Sequence, residues 1–303
     1  MDDRFDATAP PASAGGSDGH GPRACGPGGI AKGERARALL VGRCVARADD
    51  HSRISRAMTT VLKLGGSVVT DKSRPETLDE ANLARAADAV ADHDESLVLV
   101  HGGGSFGHHH ASEHGLTDTR GSHDSAAALA VHGAMQELND AVVSALQNRG
   151  VPALPIHPLS AGARDDAGRL SLATAGVETQ LAEGFVPVLQ ADVIAHAGRG
   201  VTIVSGDELV AVLTERLDAD RAGLCSAVPG VLDADGDVID RIESFSAVAD
   251  ALGASDATDV TGGMSAKVRT LLDMDVPAWV FGLDDLDGFL RGESPGTRVG
   301  KRE

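Results

Sequence analysis

A chain of 303 residues, 42% of them hydrophobic, is long enough for one large domain or two small ones. Its formal charge of −18, from 45 acidic against 27 basic residues, argues against nucleic acid or anionic membrane as a partner. No run of about 18 apolar residues offers a membrane span, and with six Phe, one Trp and no Tyr the core has to be aliphatic.

The first 57 residues stand apart. They hold nine Gly, with nine Lys/Arg against seven Asp/Glu, and show no sustained apolar periodicity. Segment 1–57 is therefore expected to be a disordered extension, and it lacks the compact apolar stretch of a signal peptide. Met58 directly precedes the first strand, so the native start is expected there, leaving 58–303 as the catalytic domain; the intact mass of the protein from its natural host checks this. Cys25, Cys44 and Cys225 show no metal-ligand spacing, which suits a reducing cytoplasm.

From Met58 onward, short apolar runs alternate with helical patterns. Val61–Leu64 reads as a strand, Leu78–His93 as a helix and Leu97–Val100 as a strand. Ser125–Gln147 is a long Ala-rich helix, followed by a strand near Val151–Ile156 and an apolar run at Phe185–Gln190. Thr202–Val204 reads as a strand feeding a helix over Glu208–Leu217. Ala222–Cys225 is a further strand, Ser265–Met274 a helix and Pro277–Phe281 a last strand. Alternating buried strands and helices predict an α/β fold, an open three-layer αβα sandwich around a mainly parallel sheet. Leu232–Ile239 is expected to form a hairpin around Asp235-Gly236; its three aspartates lack the glycine position and closing glutamate of a calcium loop.

Three glycine-rich turns follow a strand or open a helix: Lys63–Ser67, His101–His108 and Thr261–Lys267. Glycine lets backbone N–H groups approach an anion, and a helix N-terminus adds partial positive charge. None reads as a dinucleotide fingerprint, and no G-x-x-x-x-G-K-[ST] occurs. After Met58 only four lysines remain, Lys63, Lys72, Lys267 and Lys301, against fourteen arginines. A composition that avoids lysine yet keeps it beside glycine turns points to phosphoryl transfer, because a compact ammonium can follow a moving phosphoryl group. His108 ends the second turn and can donate to a phosphate oxygen. His110 and His114 are four apart without a third ligand, so no metal site is expected; with His109 they read as solvent-facing or loop residues. Asp207 reads as a helix cap, as the carboxylate that orients two lysines, or as both at once.

These blocks carry a resemblance. KLGGSVVTDK at 63–72, HGGGSFGH at 101–108, SGDELVAVLT at 205–214 and TGGMSAKV at 261–268 resemble the amino acid kinase superfamily. The ending of the second block, with Lys72 after the first, is similar to the isopentenyl phosphate kinase family. The resemblance implies a cytoplasmic homodimer that uses ATP and Mg²⁺ to phosphorylate isopentenyl phosphate in an archaeal-type mevalonate route. By residue, Lys72, Lys63, Lys267 and Asp207 match catalytic positions. Lys63, Leu64, Gly65, Gly66, Ser67, Gly104, Gly262, Gly263 and Lys267 match ATP-binding positions. Gly103 and His108 match acceptor-binding positions, and an apolar tail pocket is expected around Ala126–Met135. Ser226-Ala227-Val228-Pro229-Gly230 departs from the pattern, with Ala227 where the superfamily has Asp near the nucleotide. The rival readings are a kinase for another phosphate or phosphonate, similar to fosfomycin kinases, and a non-catalytic nucleotide-binding relative.

Overall fold

In a computed structural model of the protein, residues 58–249, 252 and 263–300 are described. The expected disordered extension 1–57 and the site residue Gly262 lie outside them. The chain opens with β1 (Thr59–Leu64), a single turn α1 (Gly66–Val69), α2 (Glu80–Ala91) and β2 (Ser96–His101). Next come α3 (Gly104–Glu113), α4 (Ser125–Gln147), β3 (Ala153–Ile156), α5 (Pro158–Ala161), β4 (Gly162–Arg164), β5 (Leu170–Leu172) and α6 (Ala175–Ala182). The second half holds β6 (Val186–Gln190), β7 (Asp192–His196), β8 (Gly200–Val204), α7 (Gly206–Arg216), β9 (Arg221–Ser226), β10 (Arg241–Ile242), α8 (Gly263–Leu272), β11 (Ala278–Gly282), α9 (Leu286–Leu290) and β12 (Thr297–Val299).

Among the described residues the central sheet has eight strands in the order β10-β12-β11-β9-β1-β2-β6-β3. Every pairing from β11 to β3 is parallel, and β12 runs antiparallel to β11. Parallel strands need both faces covered, and two hydrophobic clusters do this. One packs the sheet against α2, α4 and α9; the other packs it against α6, α7 and α8. The expected open αβα sandwich is therefore present. No described helix is long and apolar enough to cross a membrane.

The period of two along β1 decides the position of the first lysine. Leu62 and Leu64 enter the cluster under α2 and α4, while Val61 enters the one under α7. Lys63 shares the face of Val61, and its stem packs beside Gly206 at the start of α7. A lysine buried to 7% exposure in the middle strand is thus aimed, by alternation alone, at a helix N-terminus.

One expectation is corrected. Thr202–Val204 is a strand, but it belongs to a second, four-stranded sheet in the order β5-β4-β7-β8. It lies antiparallel to β7, joined by a tight turn in which Gly198 and Gly200 take positive φ. The residues 232–239 do turn back as expected, with a bridge between Leu232 and Val238. There the Asp233 carboxylate accepts from the Asp235 and Asp237 amides, each at 2.9 Å, so it builds the turn itself.

Aromatics are few, and the core uses three of them together. Phe289 stacks on Phe281 at 4.7 Å between centroids and meets Trp279 at 6.2 Å, and a Cβ on Gly223 would run into the Phe289 ring. Phe289→Ala should cost roughly 3–5 kcal/mol, read as a drop in denaturant midpoint. A shift under about 1 kcal/mol would show that this layer repacks freely.

Candidate active site

The first two glycine turns touch each other backbone to backbone. A Cβ on Gly66 would strike the amide N of Gly104, and one on Gly104 would strike the Thr70 hydroxyl. Gly104 also has φ +49°, in the left-handed region that disfavours side chains. Thr70 clamps the pair: its hydroxyl donates to the Gly66 carbonyl at 2.7 Å and accepts from the Ser105 amide at 3.0 Å. Close packing of the turns thus explains these glycines without any ligand. It is the charges around them that identify an anion site.

Asp207 collects those charges. Its Oδ1 lies 2.6 Å from Lys63 Nζ and 3.8 Å from Lys267 Nζ. Burial pushes the Asp207 carboxyl up, but the charges of Lys267 and Lys63 outweigh it and bring it down to about 2. The alternative role of Asp207 as a helix cap is corrected. Ser205 is the cap of α7, in a capping box with Glu208: Ser205 Oγ accepts from the Glu208 amide at 3.2 Å, and Glu208 Oε2 accepts from the Ser205 amide at 2.9 Å. Asp207, two residues further in, is left to face the lysines.

Sequence reasoning missed what holds that cap. Arg164, at the end of β4 and 7% exposed, donates from its Nη2 to Glu208 Oε1 at 2.7 Å. The second sheet therefore fixes the start of α7, and through it the carboxylate between the lysines. Nothing local marks Arg164, because its partner is 44 residues away.

A cavity of about 460 Å³ lies over this group. Lys63, Lys72 and Lys267 border it, as do Asp207 and His108. Gly65, Gly66, Ser67, Gly103, Gly104 and Gly263 border it as well, so the predicted residues converge. Leu64 does not: it is turned into the core, and only its carbonyl works nearby, accepting from the Gly102 amide at 2.9 Å. The first residues of α3, α7 and α8 border the cavity, adding the partial positive charge of helix N-termini to the lysines. Gly102, Gly104 and Gly107 do spell G-x-G-x-x-G from the end of β2 into the first turn of α3; converging lysines, which a dinucleotide turn does not need, are what set this site apart.

Lys72 is exposed, on the loop after α1. That loop is ordered by Asp71, whose carboxylate accepts from Ser73 twice and from Arg74 and is held down at about 2. The Glu76 and Thr77 amides dock on Ser105 of α3. His110 reaches Glu76 at 2.7 Å from the same helix, while His109 and His114 are exposed. Among the described residues no group of three or more His, Cys, Asp or Glu forms a metal site. Leu116, Val131 and Met135 add apolar side chains to the cavity lining, and the last two fall within the 126–135 stretch.

The Asp207 carboxyl ordinarily titrates near 3.8 and is held at about 2 when folded. Its contribution, about 2 kcal/mol, is complete above about pH 4 and fades as pH falls towards 2. Asp207→Asn should therefore flatten the loss of stability between those pH values, measured by denaturant titration across that window. An unchanged slope would mean that the lysines do not hold the carboxylate.

A model of the amino acid kinase family matches residues 58–274. The isopentenyl phosphate kinase of Haloferax volcanii is 66% identical over 241 residues, covering 79% of this chain and 97% of that protein. That of Methanocaldococcus jannaschii is 31% identical over 260 residues, covering 80% of this chain and 98% of that one. A solved isopentenyl phosphate kinase structure superposes with a TM-score of 0.69 at 29% identity, covering 80% of this chain and 99% of that chain. The chain belongs to the amino acid kinase family, among its isopentenyl phosphate kinases.

Proposed function

We propose that the protein transfers the γ-phosphoryl group of ATP to the phosphate of isopentenyl phosphate, giving isopentenyl diphosphate and ADP. The observation that supports this best is a single cavity with three lysines and His108 at its polar part and an apolar wall beside them. An acceptor that is itself a phosphate needs no general base, so catalysis can rest on positioning and on cancelling charge between two anions.

In this reading an acceptor phosphate oxygen attacks the γ-phosphorus while the bond to the β–γ bridging oxygen breaks, and ADP leaves with the electron pair. Lys63 and Lys267 hold the donor phosphates, fixed by their shared carboxylate Asp207. The amides of Gly66, Ser67, Gly104 and Gly263 face donor oxygens, while Gly65, whose amide donates to the Cys225 carbonyl at 2.9 Å, shapes the turn beside them. Lys72 follows the transferring group from its ordered loop, and His108 with Gly103 holds the acceptor phosphate. Asp207 is occupied by the lysines, so Mg²⁺ would enter on the nucleotide phosphates and supply charge neutralisation there. Ala227 borders the cavity beside Ser226 and Val228 and brings no carboxylate to the nucleotide, which leaves contacts there to the backbone and to the Ser226 hydroxyl. We also infer a homodimer working in an isoprenoid route, as the family resemblance implies, and a cytoplasmic location, in keeping with the cysteine usage.

ADP release should rise with isopentenyl phosphate and stay at background with fosfomycin or without acceptor. Turnover on fosfomycin alone would favour the rival kinase, and no turnover in high potassium and Mg²⁺ would favour a non-catalytic relative. Lys72→Ala should cut kcat by on the order of 10², the cost of one preorganised charge. His108→Ala should raise the acceptor KM and leave ATP binding nearly intact; the reverse pattern would remove His108 from the acceptor site.

A further inference from the structure

The cavity borders a second polar group to which phosphoryl transfer gives no role. Asp192 opens β7, and its side chain has no exposure. It accepts from His132 Nδ1 at 2.8 and 3.0 Å and from the Val193 amide at 2.8 Å. Gln190 lies 3.4 Å from it and donates to His157 Nδ1 at 2.8 Å. Burial pushes the Asp192 carboxyl up, against the pull of His132. His132 stands on α4 between Val131 and Met135, both of which border the cavity.

The same helix is tied a second time, seven residues on. His101, the last residue of β2, is fully buried, and burial keeps its imidazole neutral. Nδ1–H then donates to the Gly102 carbonyl at 3.1 Å, which leaves Nε2 as an acceptor, 3.0 Å from Asn139 Oδ1. Turning the Asn139 amide by half a turn lets its Nδ2, otherwise without a partner, donate to Nε2. Positions 132 and 139 are two helical turns apart on one face, with Met135 between them. Met135 presses on the second glycine turn so closely that a Cβ on Gly107 would come within 2.7 Å of its sulfur.

We propose that His132 and Asp192 are positioning residues for the acceptor: their buried contact fixes α4 at the start of β7 and so sets the gap between the Val131–Met135 wall and the second glycine turn. This rests on the reading of the cavity as the acceptor site. Stability is a poor reason for such a pair, because well-packed apolar residues usually serve as well as a buried ion pair or better. Geometry is a good one. Methionine is flexible and adapts to its surroundings, so a wall built on Met135 is only as well defined as the helix beneath it.

The test pairs His132→Leu, which deletes the donor, with His132→Asn, whose amide can replace Nδ1; Asp192→Asn is the second route if the leucine variant does not fold. In His132→Leu the acceptor KM should rise about tenfold, with ATP KM and kcat within about twofold, and His132→Asn should recover most of it. Relative turnover of a phosphate monoester with a ten-carbon tail should increase. Hydrogen exchange, which needs no acceptor, should speed up over 128–135 in the leucine variant while β1 and β2 stay protected. Unchanged exchange overturns the tie itself. Faster exchange with ATP and acceptor KM rising together overturns its role at the acceptor. Failure of the wild type on isopentenyl phosphate, with faster exchange in the variant, overturns the function and leaves the tie standing.

Discussion

Two lysines meeting on one carboxylate is the constraint on which the site depends. Lys63 and Lys267 come from opposite ends of the described chain, on β1 and α8, and Asp207 keeps their ammonium groups together against mutual repulsion. The rest of the fold can be understood as what this arrangement requires. Strand alternation sends Lys63 to the face of α7, the capping box starts α7 at Ser205, and Arg164 anchors that box from a second sheet. In a chain of charge −18 such a concentration of cations is also the local reversal that an anionic substrate needs.

A second layer of organisation concerns how the two halves of the cavity are held. The polar half is made by turns locked backbone to backbone, where Gly66, Gly104 and Thr70 leave no slack. The apolar half is mainly one side of α4, whose aliphatic contacts with the sheet are non-directional. Buried polar contacts at His132 and Asn139 supply a register that aliphatic packing lacks. One half is thereby defined by close contact and the other by directional bonds.

Much of this was legible in the sequence. The strands at β1, β2 and β9 and the full extent of α4 follow from apolar runs and helical periodicity, and the four blocks mark the turns and lysines. The second sheet was not legible, because Gly162–Arg164 and Leu170–Leu172 are three residues each, too short for any period to show. Asp192 with His132 and Arg164 with Glu208 pair across 60 and 44 residues, and no local pattern encodes such partners. The glycines were legible for a partial reason: their number suggested an anion cradle, whereas the packing of turn on turn already demands Gly66 and Gly104.

The central claim is that these lysines bring two phosphates together rather than merely binding one nucleotide. Phosphorus NMR of a reaction with ATP, Mg²⁺ and isopentenyl phosphate tests it directly. The account predicts loss of the monophosphate signal and growth of paired diphosphate signals beyond those of ADP, in step with ATP loss. ATP loss accompanied only by inorganic phosphate, with the monophosphate signal intact, would contradict it.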